Sequence, residues 1–244
     1  MERVPGADDR GRLSVDVVRA PADPVPAFTR WVASVCTPGC RVLDVGAGTN
    51  ASGPLRPILA TKPHLVCLDP DASVHDNPMP VERVQATVEE YAARSPEPFD
   101  VAFAVYVLEH VADPEAFLTG CAQLLRPGGS FFALTLNVRH YFGATTWALT
   151  RLHLEERTLH RLKGSTGHHH HFPTAYRLNS VRALERARRA AGFASGEVRA
   201  YDATANYAWY LPRGTGWVAP AWSRMAYAVG SPSLMGHLSV RLVR

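Results

Sequence analysis

Residues Arg41 to Asn50 read RVLDVGAGTN, and the fold of the chain follows from that stretch. Arg41 to Val45 is a short apolar run broken by one acid, which reads as a buried strand. Gly46-Ala47-Gly48 then turns the backbone sharply, and Thr49-Asn50 opens a helix. Glycine suits such a turn because it reaches positive φ without strain and lets a ligand come close to bare backbone. The expected occupant is a nucleotide-like cofactor.

Two cofactor classes use this geometry. A dinucleotide site aims a helix N-terminus at a pyrophosphate and wants G-x-G-x-x-G/A, which Gly46, Gly48 and Ala51 satisfy in form. That match alone is weak. S-adenosylmethionine (SAM) has no phosphate and carries an ammonium and a sulfonium, so a carboxylate at the strand end, Asp44, suits it better. The same acid would repel a pyrophosphate.

Working outward, 244 residues with 46% hydrophobic content and 20% charge can bury one large α/β domain. No stretch reaches the roughly eighteen consecutive apolar residues of a membrane span, and MERVPGADDRGRL lacks the apolar core of a signal peptide. A cytoplasmic protein without stable membrane insertion is expected. Cys36, Cys40, Cys67 and Cys121 include no C-x-x-C pair and read as reduced, structural thiols. The formal charge of +4 comes from arginine, since Lys62 and Lys163 are the only lysines. That bias fits genome composition better than a nucleic-acid ligand.

Residues 1 to 22 are polar and are expected to be a flexible N-terminus. Phe28, Trp31, Val32 and Val35 fall at helical spacing after Pro24-Val25-Pro26. His64 to Leu68 is a buried strand ending in Asp69, and Asp69 follows Asp44 by about 25 residues, the interval of an acid that holds ribose hydroxyls from a second parallel strand. Asp71 after Pro70 reads as a cap. Val81 to Ala86 is a third strand, and Thr87 with Glu90 has capping-box spacing. Phe99 to Val105 is a fourth strand, Asp113-Pro114 starts a helix, and Ser130 to Asn137 is a fifth strand. Alternating strands and helices with buried apolar strands call for a parallel sheet covered on both faces. Gly46, Asp69, Thr87 and Tyr106 would then converge at the carboxyl ends of the strands.

At this point the chain resembles the class I SAM-dependent methyltransferases. RVLDVGAGTN looks like their first motif, LDPD like the acid after strand two, FDVAFAVYVLEHVADP like the strand-four motif, and LLRPGGSFFALTLN like the segment through strand five. The V-L-E-H-V-x-D-P run is similar to the branch that holds the O-methyltransferases of ubiquinone biosynthesis and natural-product enzymes. The resemblance implies a Rossmann-like, mostly parallel seven-stranded sheet with helices on both faces and a reversed final hairpin. It further implies Asp44, Gly46, Ala47 and Gly48 near the methionine part of SAM, Asp69 and Pro70 at the ribose, Thr87 and Val88 at the adenine, and Tyr106 beside the cofactor. The chain departs from the family at Asn50, where a third glycine is usual, and at Thr87, where an acid is common. Tyr106 also replaces the first acid of an E-x-x-E-H run, leaving Glu109 and His110, so a metal-independent enzyme is expected.

The SAM-binding core is thus read over 23–137, with an added helical lid over 138–175 and the remainder of the same domain over 176–244. Phe142, Trp147, Leu149, Leu152 and Leu154 of the lid either line an apolar or aromatic acceptor pocket or pack the lid to the core. His168 to His171 read first as an exposed loop. Asn179 is the expected cap of a basic helix, Val181 to Ala191, whose arginines read as a solvated face. Glu197 to Tyr210 and His237 to Val243 read as the last strands, with a helix over Trp217 to Val229 between them.

The expected activity is methyl transfer from SAM, leaving S-adenosylhomocysteine (SAH), to a small-molecule acceptor of specialised bacterial metabolism. O-methylation of a phenol or hydroxyl leads. N- or C-methylation, or a SAM-binding cyclase or rearrangement enzyme, stays open. A proton-accepting base suits a hydroxyl acceptor, and His110 and His140, after the fourth and fifth strands, are the candidates.

Overall fold

The computed structural model describes residues 12–49, 52–78, 82–141, 174–203 and 214–244. In chain order the elements are β1 (Ser14–Val17), α1 (Pro24–Ala33), β2 (Arg41–Val45), α2 (Ser52–Leu59), β3 (His64–Asp69), β4 (Glu82–Gln85), α3 (Val88–Ala93), β5 (Phe99–Val105) and α4 (Pro114–Leu124). They continue with β6 (Leu125–Leu136), α5 (Val181–Ala190), β7 (Ser195–Tyr201), α6 (Val218–Val229) and β8 (His237–Val243). The strands form one sheet in the order β1-β7-β8-β6-β5-β2-β3-β4. All neighbours are parallel except β8, which runs against both β6 and β7.

Both faces of the sheet are buried, as a parallel sheet requires. Leu43, Val45, Ala102 and Ala104 belong to one apolar cluster with Leu118 of α4 and Leu184 of α5. Val42, Val101 and Phe103 belong to a second with Phe28 and Val32 of α1 and Leu55 of α2. Neighbouring residues of one strand alternate between the clusters, the period of two that strands impose.

The sheet has eight strands where seven were expected. The extra one comes from the segment expected to be flexible, because Leu13, Val15 and Val17 alternate with polar residues and pack on the first cluster. Ser14 to Val17 register against Glu197 to Ala200. A second correction concerns the cap of α5. Ser180 caps it by accepting from Ala183 N–H, while Asn179 is fully buried and donates to Thr135 Oγ1 at 2.6 Å and to the Leu136 carbonyl. A buried carboxamide needs such partners more than a helix end needs it. Nor is α5 basic on one solvated face throughout, since Arg188 is buried and binds Glu185 and the Phe193 carbonyl.

Candidate active site

Two groups of residues meet at the carboxyl edge of the sheet. The first is built by the turns after β2, β3 and β4. Gly46 has φ 72° and donates to the Leu68 carbonyl at 2.8 Å, as Ala47 does at 3.2 Å. A Cβ on Gly46 would lie 2.4 Å from Val107 Cγ2, so this position needs glycine for space and for conformation alike. Gly48, φ 48°, donates to Asp69 Oδ2 at 2.9 Å. Asp69 Oδ1 accepts from Asp71 N–H at 2.8 Å. Asp69 therefore locks both turns, and each of its oxygens retains lone-pair capacity for a ligand hydroxyl.

Asp44 is buried beside Phe103 and Cys67, and the Cys67 thiol is pushed up to about 12, first by burial and then by the Asp44 carboxylate. Thr87 accepts from Glu90 N–H, and Glu90 accepts from Thr87 N–H at 2.9 Å, completing the capping box of α3. A cavity of about 340 Å³ opens between these turns. Gly46, Pro70, Thr87, Val88, Val107 and His110 are among its lining residues. Tyr106 follows β5 with φ 56°, a left-handed conformation that a tyrosine holds only where its surroundings fix it. Its N–H donates to the Leu134 carbonyl.

The second group lies at the ends of β6 and β7 and the start of β8. Asn137 holds the exit from β6, donating to the Pro232 and Met235 carbonyls and accepting from Arg139 N–H. That turn places His140, which is 1% exposed, against the rings of Tyr141 and Trp222. His140 Nε2 lies 3.7 Å from Asp202 Oδ1, and Asp202 too is buried. His237, fully buried, stacks on Tyr201 with rings 2° from parallel, and Tyr106 meets it edge-on. Burial holds both imidazoles down at about 4, with Asp202 opposing the shift in each. Both are neutral at pH 7.

A neighbouring carboxylate has a structural task. Glu109, which the E-H pair left available, turns inward. Its Oε1 accepts from Thr135 Oγ1 and Leu136 N–H, both at 2.9 Å, and its carbonyl accepts from Ala175 and Tyr176 N–H. Burial raises its pKa.

A family model described as a methyltransferase domain matches residues 11–197. The chain belongs to the class I SAM-dependent methyltransferases. Two curated relatives are ubiquinone biosynthesis O-methyltransferases. The one from Xanthomonas campestris is 40% identical over 112 residues, covering 43% of this chain and 46% of the relative. The one from Salmonella newport is 41% identical over 114 residues, covering 41% and 43%. The chain thus spans less than half the length of these relatives. Among solved structures, a SAM-dependent methyltransferase from Archaeoglobus fulgidus matches with TM-score 0.57 at 14% identity over 92% of this chain and 95% of that one. The cyclopropane synthase MmaA2 from Mycobacterium tuberculosis matches with TM-score 0.54 at 17% identity over 89% and 83%. Those likenesses establish the shared fold.

SAM is the methyltransferase's cofactor, and the cradle fits it: bare backbone at Gly46 and Gly48, a buried acid at Asp44, and an apolar cavity beside Val88. Of the residues expected at the site, Gly46, Pro70, Thr87, Val88 and His110 line one cavity, Asp44, Ala47, Gly48 and Asp69 form the turn beside it, and Tyr106 stands between the two groups. His140 joins the second group. Asn50, the apolar lid residues from Phe142 to Leu154 and His168 to His171 lie outside the described residues.

Three residues that the structure places in these two groups carry no site expectation from the sequence. Asn77 is 1% exposed and donates to the Gly48 carbonyl at 2.8 Å, holding the glycine turn from a segment that carries no motif. Asp202 directly follows the last residue of β7, an acid at a strand end as Asp69 is, which is a usable signal. His237 opens a strand that runs antiparallel, and a reversed last strand brings its first residue, not its last, to the ligand edge. Among the described residues no helix is long and apolar enough to cross a membrane.

Proposed function

We propose that this methyltransferase transfers the methyl group of SAM to a phenolic or other hydroxyl oxygen of a small-molecule acceptor, of the kind found in specialised bacterial metabolism. The observation that carries the reading is a buried imidazole, His140, at the carboxyl edge of the sheet with its Nε2 3.7 Å from the Asp202 carboxylate, an arrangement suited to taking the proton of a hydroxyl. The names of the curated relatives point the same way for the region they share.

SAM supplies an electrophilic methyl group on a sulfonium. When SAM is bound, Asp44 would face its charged methionine part, Gly46, Ala47 and Gly48 would let it approach the backbone, Asp69 and Pro70 would hold the ribose, and Thr87 and Val88 would flank the adenine. Tyr106 would lie beside the bound cofactor. Holding the acceptor oxygen in line is worth roughly 7–11 kcal/mol, and a base adds about 10²- to 10⁴-fold. His110 is exposed and lines the cavity beside Thr87 and Val88, so His140 is the better placed of the two candidate bases.

The test is titration of the protein with SAH, NADH serving as control, followed by transfer of labelled methyl to a panel of hydroxylated aromatics. Micromolar SAH binding with alkali-stable ether products is expected. Binding without any O-methyl product, or methylated amines alone, would overturn the acceptor class. Replacing both His110 and His140 by alanine while turnover stayed within about threefold would remove the base.

A further inference from the structure

Three buried ionisable side chains, His140, Asp202 and His237, come from three different strand ends and meet at one place. Burying a carboxylate costs several kcal/mol unless it is partnered, and Asp202 is buried between two members of the apolar core, Tyr201 and Ala203. The cluster is enclosed by aromatic rings: Tyr141 and Trp222 against His140, Tyr201 and Tyr106 against His237, and the Tyr227 hydroxyl, which accepts from Asp202 N–H at 3.0 Å. Trp222 is itself fixed, donating from Nε1 to the Leu234 carbonyl. Tyr106, whose ring meets His237, is followed by Val107, which packs at Gly46 of the glycine turn.

We propose that Asp202 is the positioning residue of the acceptor site, orienting His140 as the base and sharing its single charge with His237, so that the site takes up one proton from a neutral hydroxyl acceptor. The inference rests on the O-methylation reading above. In the step, the acceptor O–H bond breaks with its electron pair left on oxygen and the proton passes to the His140 imidazole. The oxygen forms the new bond to the methyl carbon, and the donor sulfur keeps the pair of the broken C–S bond. The resulting imidazolium faces Asp202, only 3.7 Å away in the resting site, and its proton leaves to solvent with the product. Imidazoles that are neutral at rest have a free lone pair for the proton, and Asp202 offsets part of the cost of charging one of them in a buried place. One carboxylate between two of them stabilises a single imidazolium, which sets the capacity of the site at one proton.

Among the described residues, the groups that set the titration are the three cluster members. Asp202 favours protonation of both imidazoles, while each imidazolium would oppose the other. The test is imidazole ¹⁵N NMR on the full chain saturated with SAH, in wild type, Asp202→Asn and His237→Gln, read as tautomer and titration of His140. Asp202→Asn should drive the His140 titration lower and mix its tautomers. His237→Gln should move it upward, because one competitor for the carboxylate is gone. With any hydroxyl acceptor that turns over, Asp202→Asn should lose at least about tenfold in kcat with KM within about threefold, and Asp202→Glu should recover part of it.

His140 titrating identically in all three folded proteins would overturn the proposal, as would full kcat in Asp202→Asn. Should Asp202→Asn fail to fold, the upward shift in His237→Gln decides alone. If no acceptor is methylated on oxygen, the acceptor class falls. The opposite NMR shifts then still report whether the carboxylate is shared.

Discussion

The two halves of the ligand edge are built from different materials. On the β2, β3 and β4 side the work is done by backbone: two glycines at positive φ, amides donating to Leu68 and Asp69, and one carboxamide, Asn77, on the turn. On the β6, β7 and β8 side it is done by buried ionisable side chains. Backbone geometry serves a ligand that is always the same. Side-chain chemistry serves a bond-making step and carries a pH-dependent cost.

The largest expected difference is in acid stability. His140 and His237 lie at about 4 in the folded protein against the usual 6.5. A histidine whose folded value is depressed contributes stability that is complete above about 6.5 and is lost as pH falls toward 4. The loss is roughly 1.4 kcal/mol per pH unit for each such group. Urea midpoints taken between pH 7 and 4.5 should fall steeply in wild type and less steeply in His237→Gln. Equal slopes would show that the acceptor half carries no such cost.

On the other side, Gly46→Ala combines positive φ with a Cβ against Val107, and should weaken SAH binding by about 2–4 kcal/mol, thirtyfold or more. Titration calorimetry would show it, and near wild-type affinity would mean that the turn is not the cradle. Asp69→Asn removes charge from two backbone hydrogen bonds and should cost about 2 kcal/mol of SAH affinity. The smallest effect is expected from Thr87→Ala, which removes the cap of α3 and lowers stability by about 1 kcal/mol in a thermal melt. A larger loss of SAH affinity than of stability there would assign the Thr87 hydroxyl to the ligand as well as to the helix.

The same contrast explains what could be read from sequence. Glycine turns, strand-end acids and capping boxes are local, so Gly46, Gly48, Asp69, Thr87 and Asp113 are visible within a few residues of chain. Their roles in the fold come out as read, down to Asp113 accepting from Glu115 and Ala116 N–H. Asp202 and His237 acquire meaning only when β8 is inserted between β6 and β7, and its pairing with β6 joins residues such as Leu136 and His237 that lie far apart in the chain. Asn179 illustrates the same limit, since a good cap by type is drawn away by Thr135, 44 positions earlier. The strand Ser14 to Val17 was hidden for a simpler reason: its alternation is short and set in a polar stretch.

The place of β8 has a consequence for how the molecule comes to be. Strands β2 to β6 pair with one another in the order β6-β5-β2-β3-β4 without any help from β8, whereas β6 and β7 have no common neighbour until β8 arrives. As a chain grows from its N-terminus, the nucleotide cradle can therefore close early, and the proton-handling cluster must wait for His237. A nascent or truncated chain ending before that residue would present two unpaired strand edges, at β6 and β7, beside a competent cradle. Such a chain could hold its cofactor and still do nothing with it, while offering those edges to aggregation.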